Sequence, residues 1–155
     1  MRGLGSVVVV LVSLLSLDIA AAQDSPEQVV RSIYATYENG GLGVSPTDPD
    51  VQHAFSGRMR ILLDEERRRI ARNGLGLLDF DVFVDGQDFD VSDLKIGKPL
   101  VNGDKARLDI SLMNMGEPRQ FRFHFVREMG GWRIDEMETL GTGMPWRLSR
   151  LLAGN

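Results

Sequence analysis

The sequence contains no cysteine in its 155 residues, and this absence limits its chemistry. A chain without cysteine has no disulfide, no thiol nucleophile, no thiolate metal ligand and no cysteine for lipid attachment. Its two histidines, His53 and His124, are far apart and form no H-E-x-x-H motif, so a zinc site is not expected. The G-x-S-x-G motif of serine hydrolases is also missing. We therefore expect no metal ion and no cofactor, and a fold that is stabilised by core packing alone.

Positive charge is also limited. The chain has 18 Lys and Arg against 22 Asp and Glu, a net charge of −4, and its bases form no block. Such a chain is a poor ligand for nucleic acid or for an anionic membrane, and we expect neither as a partner. The acids are clustered in residues 79–93, here called the acidic segment. This segment has no Lys or Arg and six aspartates, at positions 79, 81, 85, 88, 90 and 93.

The N-terminus has the three-part layout of a cleavable signal peptide. Arg2 precedes an apolar run at residues 7–17, and alanines at positions 20–22 provide an A-x-A cleavage site. A membrane-spanning helix needs about 20 apolar residues, and Asp18 interrupts this run earlier. We expect a signal peptide at residues 1–22, a mature start near Gln23, and a periplasmic or secreted product without membrane attachment. Residues 23–155 have a length that suits a single domain.

The first half of the mature chain predicts two helices. Ser25 and Gln28 form a capping box with Pro26 at the first helical position, and apolar residues follow at helical spacing to Tyr37. The second helix is expected to begin at about Asp50 or Ser56 and to end at Arg72. Its predicted buried stripe is Phe55, Met59, Leu62, Leu63 and Ile70. Glycine clusters at 39–42 and 73–76 are interpreted as C-caps with a following leucine, Leu42 or Leu75, packed back on the helix.

The second half has the alternating pattern of strands. We predict strands at 94–100, 106–113, 120–127 and 132–139, joined by loops short enough for an antiparallel meander. Phe121, Phe123 and Phe125 mark its core face, and polar residues occupy the other face. Because the helices need an apolar partner, we expect an α+β fold in which they pack on a curved four-stranded sheet. Residues 142–152 predict a short capped helix that closes one end of the core.

Two motifs resemble known proteins. The two helices, the acidic segment and a meander that ends in Gly131-Trp132-Arg133-Ile134-Asp135 resemble the nuclear transport factor 2-like cone fold. More narrowly, Asp79-Phe80-Asp81-Val82-Phe83 followed by Gln87-Asp88 resembles the D-F-D-P-F and Q-D signature of a family of exported bacterial domains of unknown function, with Val82 where that family commonly has proline. This resemblance implies a cone fold and an exported location, and it implies no reaction. Ketosteroid isomerases and dehydratases share the cone fold by analogy only.

The signature residues Asp79, Asp81, Gln87 and Asp88 are the candidate binding site. One interpretation is that these aspartates cap turns by accepting hydrogen bonds from nearby backbone amides. The alternative is that they recognise a partner or a hard cation such as calcium. A helix-loop-helix calcium loop that starts at Asp81 would need a ligand at its third position and a Glu at its twelfth. The sequence has Phe83 and Ser92 there.

Glu66 is the candidate catalytic carboxylate because it lies four residues from both Leu62 and Ile70, on the apolar stripe of the second helix. Burial would raise its pKa into the range of a general acid or base, and Tyr34 or Tyr37 would add a hydroxyl. The alternative is that Glu66 lies at the wet edge of the stripe, and that the tyrosines are core rings with a solvated tip.

The leading hypothesis is an exported domain that binds a protein or a small ligand without catalysis. It follows from a well-patterned fold that carries no recognisable nucleophile, metal cluster or cofactor motif. An inhibitor or immunity protein for an exported enzyme is a special case. The rival hypothesis is a small isomerase- or dehydratase-like enzyme that uses Glu66 with Tyr34 or Tyr37. The polar sheet face would hold cross-strand ion pairs or contact another protein, including a second copy in a homodimer; it carries Arg107, Asp109, Arg122, His124, Arg133 and Asp135.

Overall fold

The structure, a computed structural model, describes residues 25–141 and 143–154. The predicted signal peptide lies outside these residues. Helices come first, an antiparallel sheet follows, and a final helix completes an α+β architecture, as predicted. The elements are α1 (Pro26–Tyr34), a 3₁₀ turn (Ala35–Tyr37), a 3₁₀ helix (Pro49–Ala54), α2 (Gly57–Asn73), β1 (Val91–Ile96), β2 (Leu100–Asn102), β3 (Lys105–Asn114), β4 (Glu117–Glu128), β5 (Gly131–Leu140) and α3 (Leu148–Ala153).

Both long helices begin at a serine cap. Ser25 Oγ accepts a hydrogen bond from the Gln28 amide, and Gln28 Oε1 accepts one from the Ser25 amide, which confirms the capping box. Ser56 caps α2, whereas Asp50 belongs to the preceding 3₁₀ helix. Helix α2 ends at Asn73, and its C-cap Gly74 has a φ of +74°, a left-handed conformation that glycine adopts without steric cost.

The sheet has the order β1-β3-β4-β5, and β2 also pairs with β3. Strands β3 and β4 pair continuously from Lys105 opposite Val126 to Asn114 opposite Glu117. Bulges interrupt the β1–β3 and β4–β5 ladders, and such bulges bend a strand and increase its twist. Every pair of neighbouring strands is antiparallel, as the short loops predicted.

The helices pack on the phenylalanine face of the sheet. Each fully buried Val, Leu, Ile, Phe or Met side chain stabilises the fold by roughly 1.5–3 kcal/mol. A core of such side chains can therefore hold the domain together without disulfides. Helix α3 closes one end of the core with Leu148 and Leu152. The central residues, none more than 1% exposed, are Val30, Ile33, Phe55, Met59, Leu63, Leu108, Phe121, Phe123, Phe125, Ile134 and Met137.

The first predicted strand is in fact two strands. Strands β1 and β2 lie one after the other along the same edge of β3, and residues 97–99 separate them. Pro99 has no N–H to donate to the ladder. Gly97 passes so close to β3 that a Cβ would lie 2.7 Å from the Asp109 carbonyl oxygen. The Gly97 amide still donates to the Asp109 carbonyl at 2.9 Å, and regular pairing with β3 resumes at Leu100.

Several local predictions were wrong. The glycine cluster at 39–42 does not cap the first helix, because α1 ends at Tyr34 and its C-cap is Ala35. Helix α3 begins at Leu148 and not at residue 142, and it has no side-chain cap. Pro145 explains part of this difference, because a proline disfavours helical backbone in the residue before it. Leu42 and Leu75 are 92% and 78% exposed, so neither packs back on its helix.

Within residues 25–141 and 143–154, no helix combines the length and the apolar character needed to cross a bilayer.

Candidate functional site

A cleft of about 720 Å³ opens beside the acidic segment. Residues 42–48, helix α2 and residues 78–81 form its walls, and Gln87 lies at its edge. Three of the four predicted binding residues therefore meet at this cleft, and Asp88 lies outside it. Among the described residues, four carboxylates and no Lys or Arg line the cleft: Asp48, Glu66, Asp79 and Asp81.

The middle of the acidic segment is anchored in the core. Val82, Phe83 and Val84 are fully buried. A tight turn then reverses the chain, and the Asp81 amide donates to the Gly86 carbonyl at 2.8 Å. Asp81 Oδ1 accepts from the Phe83 amide at 2.9 Å, which is the turn-capping role common for aspartate. This part of the segment is therefore a fixed wall of the cleft.

Both candidate tyrosines bind this wall. The Tyr34 hydroxyl donates to the Phe83 carbonyl at 2.7 Å, and the Tyr37 hydroxyl donates to Asp81 Oδ2 at 2.6 Å. The two rings are 1% and 6% exposed, and their centroids are 5.9 Å apart. They are thus core rings with hydrogen-bonded hydroxyls, and the expected solvated tip was wrong for both.

Burial controls the protonation of this cluster. It raises the pKa of Asp81, although hydrogen bonds from Tyr37 and the Phe83 amide oppose the shift. Burial also raises the pKa of Tyr37 above its ordinary value, and the charge of Asp81 raises it further. The pKa of Tyr34 is raised by burial as well. The two phenols therefore keep their protons and act as hydrogen-bond donors to the acidic segment.

Glu66 is a buried carboxylate on the opposite wall, 1% exposed. Its Oε1 accepts from the amides of Leu77 and Leu78, the latter at 2.9 Å, and its Oε2 pairs with Arg69 Nη1 at 3.0 Å. Gly76 allows this approach, because a Cβ at that position would collide with Oε1. The alternative of a wet edge was wrong. Glu66 fastens the chain beyond α2 to the helix, and neither candidate tyrosine is among its hydrogen-bond partners.

Asn114, at the end of β3, is a site residue that the sequence analysis missed. It is 2% exposed, and its Oδ1 accepts from the Asp90 amide at 3.0 Å. Its Nδ2 donates to the carbonyl oxygens of Val84 and Asp88, at 3.2 and 3.1 Å. One side chain therefore joins three points of the acidic segment. In the sequence it has the pattern of an ordinary turn residue, so no local signal distinguishes it.

Trp146 supports the segment from another side. Its indole Nε1 donates to Asp85 Oδ1 at 2.8 Å, and its ring meets Phe80 edge-on with centroids 5.8 Å apart. Arg119 Nε lies 3.7 Å from Asp85 Oδ2 and forms an ion pair with it. The C-terminal residues, expected only to close the core, thus also hold the acidic segment.

The remaining predicted binding residues are exposed. Within the described part of the chain, the side chains of Asp79, Gln87 and Asp88 make no hydrogen bond or ion pair, and Asp88 contributes only its carbonyl oxygen to Asn114. Leu42 lines the same cleft and is almost fully exposed. No three acidic or histidine side chains of residues 25–141 and 143–154 are arranged to hold a metal ion.

The polar face of the sheet carries ion pairs. Arg122 binds Asp109 through two contacts of 2.7 Å, and its hydrogen bond lowers the pKa of Asp109. His124 Nε2 lies 2.8 Å from Glu138 Oε1 on the neighbouring strand. Asp135 pairs with Arg58 of α2, at 3.0 Å. Cross-strand pairing therefore holds for Arg122 and His124, whereas Asp135 pairs with a helix.

No family model and no curated protein matches the chain. Solved structures do match. One is a chain of the type VI native effector–immunity complex Tae3–Tai3 from Ralstonia pickettii, with a TM-score of 0.56, 19% identity, and coverage of 79% of this chain and 100% of that chain. The selenomethionine form of that complex gives a TM-score of 0.53 at 19% identity, with coverage of 77% and 100%. At 19% identity the likeness shows a shared α+β fold. The matched chains are components of a protein–protein complex.

Proposed function

We propose that this protein is an exported domain that binds another protein and performs no chemistry on it, in the manner of an inhibitor or immunity protein for an exported enzyme. One observation carries the proposal. Glu66 and Asp81, the buried and partly buried carboxylates of the cleft, are engaged in holding the fold, whereas the exposed side chains of Asp79 and Asp88 have no partner within the described residues. The buried group is structural, and the exposed group is placed for recognition.

The arrangement of Glu66 argues against catalysis. A general base needs a lone pair within hydrogen-bond reach of a substrate proton. Glu66 is 1% exposed, which keeps a substrate proton away from it, and three of its about four lone pairs already accept hydrogen bonds from two backbone amides and Arg69. Asp81 is engaged in the same way by Tyr37 and the Phe83 amide. Freeing either carboxylate for a reaction would break contacts that hold the cleft walls.

The structural neighbours support a protein as the partner. Both come from effector–immunity complexes, and both neighbouring chains are matched over their full length. The signal-peptide pattern at residues 1–22 supports export, which would place the domain beside exported enzymes. We also propose that the fold is a nuclear transport factor 2-like cone and that the chain belongs to the exported bacterial family. Bulges in the sheet, helices on one face and the D-F-D-V-F signature support both assignments.

A site-specific photo-cross-linker tests the proposal. It is placed at Leu42 in the full chain, and at Leu100, which is 59% exposed on β2, as a matched control. We expect one protein to be captured in cells at Leu42 and identified by mass spectrometry, and the purified pair to form a complex. If neither position captures a protein, or if a captured protein does not bind the purified domain, the proposal is wrong, and a small ligand in the cleft becomes the better hypothesis.

A further inference from the structure

We infer that the cleft receives a basic loop of the partner protein, in which an Arg or Lys side chain meets Asp79 and an adjacent apolar side chain covers Leu42. This inference rests on the proposed protein-binding function. It goes further by naming the surface and the chemistry of the partner segment.

The charges of the cleft are the first argument. Of its four carboxylates, three have hydrogen-bond donors within the described residues: Asp48 accepts from the Ser45 amide at 2.8 Å, and Glu66 and Asp81 are engaged as described above. Among residues 25–141 and 143–154, only Glu66 of these four forms an ion pair, with Arg69. An incoming cation would meet uncompensated negative charge without displacing an internal partner. An incoming anion would lie against four carboxylates, and like charges that face each other across an interface oppose binding.

The apolar margin is the second argument. Leu42 is 92% exposed and Ile70 is 38% exposed, and both line the cleft beside its carboxylates. A purely polar partner would leave these side chains in water. Arginine suits a mixed surface because its stem covers apolar groups while its guanidinium binds a carboxylate through two hydrogen bonds. The combination of exposed apolar side chains and carboxylates therefore fits a loop in which an Arg or Lys lies next to an apolar residue.

The shape of the cleft is the third argument. Its volume of about 720 Å³ lies in the range of about 300–1,000 Å³ typical of binding pockets, so it admits a few side chains. Asn114, Tyr34 and Tyr37 hold the acidic wall in place. A preformed cleft loses little conformational entropy on binding, which favours affinity.

The polar sheet face is a weaker candidate for the same partner. Two pairs of its polar side chains already bind each other, Arg122 with Asp109 and His124 with Glu138. A partner that docked there would have to match or break these pairs. Charge complementarity therefore favours the cleft.

Peptide probes test the inference. Three cyclic peptides of about eight residues, rigid enough to limit the entropy cost of binding, present Leu-Arg, Leu-Glu or Ser-Arg at the turn. They are titrated into the isotope-labelled protein. The full chain is expressed for this purpose, and the form of the protein that accumulates in the cells is purified. We expect the Leu-Arg peptide to shift the amide resonances of Leu42, Asp79 and Gln87, and the other two to bind more weakly. Added salt should weaken binding because it screens exposed charges.

Matched variants complete the test. Asp79→Lys should weaken the Leu-Arg peptide about tenfold through like-charge repulsion, and Asp79→Asn should weaken it less. Asp104→Lys, at an exposed acid in the β2–β3 turn, should have no effect. The inference is overturned if the Leu-Arg peptide leaves the cleft resonances unchanged at millimolar concentration, if the Leu-Glu peptide binds equally, or if Asp79→Lys matches Asp104→Lys. A protein partner captured at Leu100 and not at Leu42 would also overturn it, and would leave the protein-binding function standing.

Discussion

Asp79 and Asp81 are two residues apart, yet they belong to different regions of the molecule. Asp81 is partly buried and joins Tyr37 to the Phe83 amide, whereas Asp79 is exposed and its side chain has no partner within the described residues. The same contrast divides Glu66 from Asp88. Asp79 and Asp81 share a residue type and a neighbourhood in the sequence, so contacts from distant elements decide whether a carboxylate builds the cleft or faces a partner. If this comparison is correct, the two regions will respond differently to mutation.

The largest effect is expected for Glu66→Ala. The change removes the acceptor for two backbone amides and the partner of Arg69, and loss of one partner of a buried ion pair costs about 3–5 kcal/mol. Because Arg69 is about one-third exposed, we expect the lower end of that range. Urea unfolding measures the free energy. Glu65→Ala, at the exposed neighbour on α2, should change it by less than about 0.5 kcal/mol. Equal effects of the two variants would break the comparison.

Asn114→Ala should come next. It leaves the Asp90 amide and the carbonyl oxygens of Val84 and Asp88 without their partner, a loss of about 2–3 kcal/mol for a buried amide. Hydrogen exchange at the Asp90 amide should become faster. The control is Asn102→Ala at an exposed position of β2, which should leave both measurements unchanged. An unchanged exchange rate in Asn114→Ala would show that the segment does not need this anchor.

The tyrosines predict a pH dependence. Both pKa values are raised by burial above the ordinary 10.0, so above pH 10 the unfolded chain loses protons that the folded chain keeps. Stability should therefore fall as pH rises above 10, by about 1.4 kcal/mol per pH unit for each tyrosine. Tyr37→Phe should make this fall less steep. Tyrosinate absorbance should appear only as the protein unfolds, and native-state titration near pH 10 would contradict the assignment.

The smallest effects on stability are expected in the exposed region. Asp79→Asn and Asp88→Ala remove side chains that make no hydrogen bond within the described residues, so the free energy of unfolding should change by less than about 0.5 kcal/mol. Binding of the captured partner should weaken in Asp79→Asn, and complex formation by the purified proteins measures it. A loss of stability without a loss of binding would instead place these residues with the structural carboxylates.

Much of the architecture was predictable because it depends on local patterns. Two patterns depend only on residues that are close in the sequence, and both appear in the structure as expected. They are the capping box of Ser25 and Gln28 and the alternation through Phe121, Phe123 and Phe125. Predictions that needed distant contacts were less successful. Residues 94–100 alternate like one strand, but residues 97–99, which include Pro99, separate two strands there. Leu42 has the pattern of a packed leucine, yet it is 92% exposed where it lines the cleft.

The candidate site shows the same division. The sequence by itself determined the α+β class, because hydrophobic periodicity and turn residues act over a few positions. It also determined that six aspartates cluster in residues 79–93. Only the tertiary structure decided their roles. Asn114 lies 24 residues from Asp90, Trp146 lies 61 residues from Asp85, and Tyr37 lies 44 residues from Asp81. A hydrogen bond depends on distance in space, and the packing of the helices on the sheet sets those distances.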